Sequence, residues 1–326
     1  MTRARVLIVG GAGFMGSHFT DVLLAAPDTE LVTLYDNFSS GREWHYREHA
    51  GDDRLAVVRA DANDLDRLSE AMVGHHLVIH LASNPDIAAA MADPTIDFDQ
   101  GTLITHHVLE AMRRTGVTRV AYASGSGVYG DLGELEADED HGPLAPISTY
   151  GASKLAGEAL ISAYAHMFDM QGFAFRFGNV VGRRQTHGVG LDFVRRLLED
   201  STQLDVLGDG HQSKSYVLAT DVVAAVLAVV DRGPAQPFRA YNVATGDYVT
   251  VREIAELALE VLALDPAEIR VVYGSEDRGW RGDVPVVRLS TERIRALGWR
   301  PSVGSREALR ASMTAMLADL RTGQPA

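Results

Sequence analysis

A tyrosine and a lysine stand four residues apart in Tyr150-Gly-Ala-Ser-Lys154. If the stretch is helical, this spacing places both side chains on one face of the helix. A tyrosine has an ordinary pKa near 10, so acting as a base at neutral pH requires lowering it by about 3 units, or about 4 kcal/mol. Neighbouring positive charges can supply that shift. Because the same spacing also occurs on ordinary helix surfaces, the position of the pair in the fold must decide its role.

Two hydroxyl groups lie a short distance upstream. Ser124 and Ser126 flank Gly125 directly after an apolar run that ends at Ala123. If that run is a strand of a parallel sheet, the serines leave it at the carboxyl end, where ligands bind in open α/β sheets. A hydroxyl there could share a substrate proton with Tyr150. A glycine–serine loop without a role is the alternative.

Three glycines near the start of the chain indicate a phosphate-binding turn. Gly10, Gly13 and Gly16 follow the apolar run Val6–Val9 and open an amphipathic stretch through Leu24. Glycines let a pyrophosphate approach the backbone, while the N–H groups and the positive dipole end of the helix point at it. The spacing is G-x-x-G-x-x-G rather than G-x-G-x-x-G, and a glycine motif by itself is weak evidence.

An acidic residue follows the second apolar run, Leu31–Tyr35. Asp36 lies about 20 residues beyond Gly16, where a carboxylate accepts hydrogen bonds from the hydroxyls of an adenosine ribose. The same charge would repel a 2′-phosphate, so the sequence predicts NAD rather than NADP. A capping or surface role for Asp36 is the alternative.

These residues need a scaffold, and the pattern of the chain predicts one. Apolar runs of strand length alternate with amphipathic stretches of helix length at 55–58, 64–72, 77–80, 95–115, 120–123, 150–170 and 172–177. Strict alternation specifies a parallel sheet covered by helices on both faces. We therefore predict an α/β fold with a doubly wound, Rossmann-like parallel sheet.

The alternation loosens after about residue 178, where glycine-rich loops separate short elements. We predict a dinucleotide-binding domain over 1–178, which includes the helix with Tyr150 and Lys154, and a smaller α/β substrate lobe over 179–326. Because no proline-rich linker separates them, we expect the lobes to share a cleft and to exchange chain.

Composition narrows the classes of function. The 326 residues are 46% hydrophobic, carry a net charge of −14 and include no cysteine. The acidic charge disfavours nucleic acid as a partner, and the lack of cysteine excludes disulfides and Zn–Cys sites. No His/Asp/Glu spacing typical of a metal site occurs. Without a signal peptide or an apolar stretch of membrane-spanning length, we expect a soluble cytoplasmic protein that does not bind membranes.

Together the motifs resemble the extended short-chain dehydrogenase/reductase family that acts on nucleotide sugars, and most closely the UDP-glucose 4-epimerases. The resemblance runs from Val6 to about Pro301. It rests on Gly10-x-x-Gly13-x-x-Gly16, Asp36-Asn37, Val128-Tyr129-Gly130, Tyr150-x-x-x-Lys154, Arg176-Phe177-x-Asn179-x-x-Gly182, Gly208-Asp209-Gly210-x-x-x-Lys214-Ser215-Tyr216-Val217 and Arg278-Gly279-Trp280-Arg281-Gly282-Asp283.

The resemblance implies that Tyr150 is the base and that Lys154 holds the nicotinamide ribose and lowers the pKa of the tyrosine. It also implies NAD as the cofactor and a homodimeric assembly. The NAD contacts that we predict, besides Tyr150 and Lys154, are Gly10, Gly13, Phe14, Met15, Gly16, Asp36, Asn37, Ser39, Ser40, Gly41, Asp61, Ala62, Leu81, Ala82 and Ser83.

The implied substrate is a UDP-sugar. The residues that we predict to contact it are Ser124, Ser126, Tyr150, Asn179, Arg184, His187, Val189, Lys214, Tyr216, Arg278, Arg281 and Asp283. Within this set, Asn179 would meet the phosphates, and Arg278 or Arg281 would clamp them. Lys214 stands where an arginine is usual and lacks the bidentate fork. The pair Arg183-Arg184 is either a solvated pair or a partner for a phosphate or a uronate carboxylate.

The chain departs from the family pattern at two positions. Gly125 stands where the catalytic serine or threonine is usual, so Ser124, Ser126 or a water must replace it. Gly101 stands where an asparagine of the fourth helix is usual, so a hydrogen bond that braces the backbone near the site is expected to be missing.

The reaction we predict is 4-epimerisation through a transient 4-keto sugar, on a UDP-hexose such as UDP-glucose or UDP-galactose or on a UDP-hexuronate such as UDP-glucuronate. A 4,6-dehydratase or a UDP-glucuronate decarboxylase is the alternative, and a non-catalytic NAD-binding regulator is a remote one. Similar dehydratases carry a threonine followed by Asp-Glu in the three positions before Val128, and similar decarboxylases carry a glutamate next to Val128. Here the three positions are Gly125-Ser126-Gly127, and neither glycine can transfer a proton.

Overall fold

The computed structural model describes residues 4–233 and 235–322. Its strands are β1 (Arg5–Val9), β2 (Leu31–Asp36), β3 (Leu55–Arg59), β4 (Leu77–His80), β5 (Arg119–Gly125), β6 (Glu136–Ala137), β7 (Gln171–Phe177), β8 (Asn179–Val181), β9 (Gln203–Val206), β10 (Ser213–Lys214), β11 (Tyr216–Leu218), β12 (Phe238–Val243), β13 (Val249–Thr250), β14 (Arg270–Tyr273) and β15 (Arg288–Leu289). Its α-helices are α1 (Phe14–Ala25), α2 (Leu65–Met72), α3 (Ile104–Thr115), α4 (Thr149–Met167), α5 (Val189–Glu199), α6 (Ala219–Arg232), α7 (Val251–Leu262), α8 (Glu292–Arg295) and α9 (Ser305–Arg321).

A seven-stranded sheet forms the centre of the larger lobe, in the order β12-β7-β5-β4-β1-β2-β3. All its neighbouring strands are parallel. The chain runs outward through β2 and β3 and then crosses back to β4 on the other side of β1, so the strand order reverses between β1 and β4. Ligands of open α/β sheets bind at such a reversal. The predicted doubly wound fold is confirmed.

Helices cover both faces of this sheet, which explains its unbroken apolar strands. On one face α1 and α6 pack against β1, where Val6 and Ile8 are fully buried. On the other face α2, α3 and α4 pack against the alternate residues Leu7 and Val9. Period-two alternation along one strand therefore supplies both cores.

The smaller lobe has a core of its own. Helices α5, α7 and α9 pack together around Leu191, Ile254 and Met313, beside the strand pair β9 and β14. The chain does not stay in this lobe after it leaves β7. Helix α6 returns to the central sheet, and β12 pairs with β7 along its edge.

One predicted helix is divided in the structure. The stretch predicted over 95–115 begins with a π-helical turn, Phe98–Leu103, and continues as α3. Gly101 lies in that turn against α4, where an added Cβ would come within 2.7 Å of the Ser153 hydroxyl. The close approach of turn and helix therefore depends on the glycine. None of the helices among the described residues is both long and apolar enough to span a membrane.

Candidate active site

A cleft of about 900 Å³ opens between the lobes at the carboxyl ends of β1, β4, β5 and β7. Val9, Leu81, Gly125 and Phe177 mark those four strand ends in its wall. The sheet forms its floor, and the first turn of α5 and the segment Gly279–Val284 close its far side. The cleft lies at the reversal of strand order, where the fold predicts a ligand.

Helix α4 presents Tyr150 and Lys154 to this cleft. The helix begins after Ser148, whose hydroxyl accepts a hydrogen bond from the Gly151 N–H at 3.1 Å and so caps the helix. The Lys154 Nζ donates to the Ala123 carbonyl at 2.8 Å and lies 5.3 Å from the centre of the Tyr150 ring. The tyrosine and the lysine therefore form one unit at the end of β5, as the spacing predicts.

The pKa of Tyr150 in this pair differs from the value expected from the sequence. Burial raises the pKa of Tyr150 to about 12, and a hydrogen bond with the Ser83 side chain offsets only part of that rise. Burial lowers the pKa of Lys154 to about 8. The lowered pKa expected from the sequence for Tyr150 is thus not found, because burial of the phenol outweighs the Ser83 hydrogen bond.

The two serines at the end of β5 have different surroundings. Ser124 is 4% exposed, and its hydroxyl donates to Glu158 Oε1 at 2.5 Å. That carboxylate lies behind the cleft, in a buried ion pair with Arg176 at 2.7 Å. Ser126 is half-buried in the cleft wall, and its hydroxyl has no hydrogen bond to any described residue. Ser126 is therefore the serine whose hydroxyl is available to a ligand.

Gly125 leaves open space beside these serines. A Cβ added at this position would meet nothing within 4 Å, whereas one added at Gly127 would lie 3.5 Å from Gly151. The missing serine side chain is thus not replaced by a neighbour.

The turn after β1 is shaped to receive a phosphate. Gly10 has a φ of +81°, and a Cβ there would lie 2.8 Å from the Ala82 backbone nitrogen, so only glycine fits. Gly13 precedes the first turn of α1, which has no acidic side chain to cap it. Both glycines line the cleft, and the free N–H groups of the helix start there.

Asp36 ends β2 next to this turn. It is 7% exposed, and its two carboxylate oxygens accept hydrogen bonds from the Ala12 and Phe38 N–H groups at 2.9 and 2.7 Å. Burial raises the pKa of this carboxyl, and the two hydrogen bonds oppose that shift. Because each oxygen has two lone pairs, both can still accept from a ribose hydroxyl in the cleft.

Most of the predicted cofactor residues lie together along this half of the cleft. Those that line it are Gly10, Gly13, Phe14, Met15, Asp36, Asn37, Ser39, Ser40, Asp61, Ala62, Leu81, Ala82, Ser83, Tyr150 and Lys154. Gly16 and Gly41 do not line it. Gly16 packs α1 against the Gly11 backbone, and Gly41 packs against Asp36 and Ala12, so both are needed for close packing rather than contact with a ligand.

Predicted substrate residues form the other half. Asn179, His187, Val189, Lys214, Tyr216 and Asp283 line the cleft, together with Ser124 and Ser126. The Lys214 Nζ lies 2.5 Å from an Asp283 carboxylate oxygen. The cation that we predict for the phosphates is therefore already paired with an acid across the cleft.

Three predicted arginines lie outside the cleft wall, which corrects their assignment. Arg184 is 6% exposed, and its guanidinium binds Asp21 and the His45 carbonyl. Arg278 is paired with Asp277 at 2.9 Å, and its guanidinium lies 3.6 Å from Asp131. Arg281 is exposed. The sequence shows the charges but not the acids that the fold brings to them.

Arg183 likewise turns away from the site. Its guanidinium lies 3.1 Å from Glu48 and 3.5 Å from Asp21. Neither member of the Arg183-Arg184 pair is therefore placed to bind a uronate carboxylate in the cleft.

Trp280 is a cleft residue that the sequence analysis did not select. Its indole packs on Gly282, where an added Cβ would also lie 3.3 Å from the Ser148 side chain. The Trp280–Gly282 segment thus approaches the start of α4. The motif around residue 280 contains both arginines, and these drew the prediction away from the aromatic residue between them. Across 4–233 and 235–322, His, Asp and Glu form no group of three or more that could hold a metal ion.

Comparison with known proteins is consistent with this geometry. A model of the NAD dependent epimerase/dehydratase family matches residues 6–244. The UDP-glucose 4-epimerase of Mycolicibacterium smegmatis is 33% identical over 94% of this chain and 96% of its own. A solved UDP-galactose 4-epimerase is 36% identical, covers 97% of this chain and 99% of its own, and superposes with a TM-score of 0.84. A Thermus thermophilus UDP-glucose 4-epimerase, solved with NAD, is 31% identical with a TM-score of 0.83 over 96% of this chain and 99% of its own.

Proteins with other reactions match almost as well. A UDP-glucuronic acid decarboxylase and several dTDP-glucose 4,6-dehydratases are 26% to 29% identical to this chain. One dehydratase, from Streptomyces venezuelae, superposes with a TM-score of 0.87. Similarity of the whole fold therefore does not separate these reactions, and the separation must come from individual side chains.

Proposed function

The chain belongs to the NAD dependent epimerase/dehydratase family, and on this premise we propose that it is a nucleotide-sugar 4-epimerase acting on a UDP-hexose. Three relatives named as UDP-glucose or UDP-galactose 4-epimerases are 31% to 36% identical over nearly the whole chain, but others with that name are 26% to 29% identical, as are the matching dehydratases and the decarboxylase. Identity therefore does not decide between the reactions, and the side chains at the end of β5 carry the proposal.

NAD is the cofactor of this family, and the residues of the larger lobe fit it. Gly10 and Gly13 leave the backbone open to a pyrophosphate at the start of α1, and Asp36 retains lone pairs for ribose hydroxyls. When bound, NAD supplies a reversible hydride acceptor for a sugar carbon. Lys154, whose ammonium donates to the Ala123 carbonyl at the wall of the cleft, would bind the nicotinamide ribose.

Tyr150 acts as the proton acceptor and donor at the sugar 4-hydroxyl. Its phenolate takes the hydroxyl proton as C4 is oxidised and returns it after the 4-keto sugar has been reduced on the other face. Lys154 stabilises the phenolate by its charge, and the Ser126 hydroxyl donates to the same sugar oxygen. Since the protein alone keeps the Tyr150 pKa near 12, proton transfer should require the bound positive charge of the oxidised cofactor.

The nucleotide would bind in the half of the cleft formed by the smaller lobe. Asn179, Lys214 and the N–H groups at the start of α5 are the donors there for a diphosphate. Lys214 would exchange Asp283 for a phosphate oxygen. Trp280 also lines the cleft, where its ring can pack on a sugar.

The single observation that carries the proposal is the lack of a carboxyl group over Gly125–Gly127. Elimination of water from a 4-keto sugar needs an acid for the departing hydroxyl and a base for the C5 proton. Glycine supplies neither, and a serine hydroxyl is a poor acid or base near neutral pH. Reduction back to an alcohol is then the favoured fate of the ketone. Because Arg183 and Arg184 are engaged elsewhere, a hexose is favoured over a hexuronate.

Incubation in D2O with UDP-glucose or UDP-glucuronate, followed by NMR, tests the proposal. We expect the C4 epimer of UDP-glucose to appear with its C6 hydroxyl retained and without deuterium at C5. Tyr150→Phe should bind NAD and UDP as the native protein does but should produce no epimer, because only the proton acceptor is lost.

Other products would contradict the proposal in distinct ways. Deuterium at C5 together with a 6-deoxy-4-keto sugar would make the protein a dehydratase, and release of CO2 from UDP-glucuronate would make it a decarboxylase. Binding of NAD without turnover of either sugar nucleotide would support the non-catalytic regulator. Epimerisation of UDP-glucuronate but not UDP-glucose would reverse the preference for a hexose.

A further inference from the structure

Asp97 is a buried carboxylate that the mechanism above does not use. It is 1% exposed and precedes the π-helical turn Phe98–Leu103. Its two oxygens accept hydrogen bonds from Thr149 Oγ1 at 2.6 Å and from Asn84 Nδ2 at 2.9 Å. Among the residues that the structure describes, no arginine, lysine or histidine forms a salt bridge with it. Since burying a carboxylate is costly, its retention here calls for a role.

The hydrogen bonds of Asp97 join three segments around the active site. Asn84 belongs to the loop after β4 that lines the cleft, and Thr149 is the first residue of α4. Thr149 directly precedes Tyr150, so the carboxylate holds the backbone turn that carries the tyrosine. One turn further on, Gly101 packs against Ser153 beside Lys154. The segment from Asp97 to Gly101 therefore contacts α4 at two points, its first residue Thr149 and its second turn at Ser153.

Asp97 also provides a charge for Lys154. The hydrogen bond of the Lys154 ammonium goes to a neutral carbonyl, that of Ala123. The field of Asp97 acts against the burial that lowers the pKa of Lys154, and it adds to the burial that raises the pKa of Tyr150. The carboxylate thus favours a charged lysine and a neutral tyrosine before the cofactor binds.

We propose that Asp97 is a positioning residue, whose carboxylate holds the turn that carries Tyr150 and serves as the counter-charge of Lys154. This inference rests on the pairing of Tyr150 and Lys154 in the proposed function but not on which sugar reacts. It assigns to Asp97 the bracing that an asparagine at position 101 would otherwise give.

The other ionisable groups around the pair do not provide this charge. His80 on β4 has its pKa lowered to about 3 by burial and stays neutral, and burial raises the pKa of Tyr122 on β5. On α3, His106 and Glu110 contact Tyr164 instead. Asp86 on the loop after β4 and Asp99 on the π-helical turn are exposed, and Glu158 on α4 is paired with Arg176.

The sequence offers a direct measurement of the Lys154 charge. Lys154 and Lys214 are the only lysines in the chain, so ¹³C-lysine labelling gives two side-chain signals, and Lys214→Arg assigns them. We expect Lys154 to titrate near pH 8 in the native protein without cofactor. Asp97→Asn should lower this pKa by about one unit, because a nearby opposite charge is lost. Thr149→Val and the exposed Asp93→Asn keep the Asp97 carboxylate and should leave the pKa unchanged.

Enzyme assays give a second readout that a purely structural role would not move. Loss of the negative charge lowers the pKa of both Tyr150 and Lys154, so Asp97→Asn should shift both limbs of the kcat profile toward lower pH by about one unit. Thr149→Val should lower kcat about tenfold, with its limbs in place, because the tyrosine is less firmly held. Asp93→Asn should match the native enzyme in both respects.

Distinct results would overturn each half of the inference. If the pKa of Lys154 is unchanged in Asp97→Asn, Asp97 is not its counter-charge. If Thr149→Val keeps the native kcat, the hydrogen bond to Asp97 does not hold the turn in a way that matters for the reaction. If Asp97→Asn does not fold, the pairing can still be tested in the native protein. In that case the Asp97 carboxyl carbon signal should move as Lys154 loses its proton, and a flat signal through that step would overturn the pairing.

Discussion

At the scale of the residue, Ser124 and Ser126 show how the fold separates two similar groups. Ser124 lies on β5 and Ser126 directly beyond its last residue, Gly125, so the two hydroxyls differ in direction because the strand ends between them. Ser124 bonds to Glu158 behind the sheet end, while Ser126 begins the short 3₁₀ turn Ser126–Tyr129 and faces the cleft. The direction of each hydroxyl, and not the number of residues that separates it from Tyr150, decides whether it can reach a ligand in the cleft.

We therefore predict that Ser126→Ala lowers kcat about a hundredfold with little change in KM, because a hydrogen-bond donor to the reacting oxygen is lost. Ser124→Ala should change kcat by much less, since its hydroxyl is directed to Glu158. Adding Gly125→Ser to Ser126→Ala should restore much of the rate, because a side chain at position 125 meets no neighbour within 4 Å. Steady-state kinetics of the three variants test this. A larger loss in Ser124→Ala than in Ser126→Ala would exchange the two assignments.

The residues that could be predicted are those whose spacing or place at a strand end fixes their direction. Tyr150 and Lys154 are set by the helix repeat, and Gly10 and Asp36 by the ends of β1 and β2. Long side chains were not predictable in the same way. Arg184 has acids available on elements distant in sequence, such as Asp21 on α1, and it pairs with one of them instead of a substrate.

At the scale of the element, α4 is tied to β7 by a buried ion pair. Arg176 and Glu158 are 4% and 3% exposed and lie 2.7 Å apart. The guanidinium also donates to the Tyr129 hydroxyl at 2.9 Å, which in turn donates to Asn242 on β12. This network joins α4 to two strands of the sheet, β7 and β12, behind Ser124.

Glu158→Gln should destabilise the protein by about 3 to 5 kcal/mol, because it leaves the Arg176 guanidinium buried without its counter-charge. The exposed pair Arg67 and Glu70 on α2 provides a matched control, and Glu70→Gln should cost less than about 1 kcal/mol. Chemical denaturation followed by circular dichroism measures both variants. Equal losses of stability would show that the buried pair contributes no more than a surface pair.

The order and type of the elements in the larger lobe could be predicted because alternating strand and helix patterns leave few arrangements. The division of the helix predicted over 95–115 could not. It depends on contact between Gly101 and Ser153 on α4, residues far apart in sequence. The sequence shows that position 101 departs from the family pattern. Only the packing shows that a glycine there lets α4 approach closely and that Asp97 braces the start of α4.

At the scale of the whole molecule, the two lobes are not consecutive along the chain. The strand β7 ends at Phe177, close to the predicted boundary at residue 178. Yet β12 completes the edge of the central sheet, and Val222, Val226 and Val230 of α6 fill the core on one of its faces. The loosened pattern after residue 178 predicts a second lobe but does not show which of its elements return.

A fragment of residues 1–178 should therefore fail to fold, although it contains the glycine turn, Asp36, Tyr150 and Lys154. Without α6 the apolar side chains that α1 and the sheet present on that face, among them Phe19 and Phe173, would be exposed to water. Without β12 the Arg176 network would lose Asn242, and β7 would become an open edge. We expect this fragment to show neither cooperative unfolding nor NAD binding by calorimetry, whereas the full chain should show both. Native-like NAD affinity in the shorter fragment would mean that the larger lobe is complete at residue 178 and that α6 and β12 are additions to a core already stable without them.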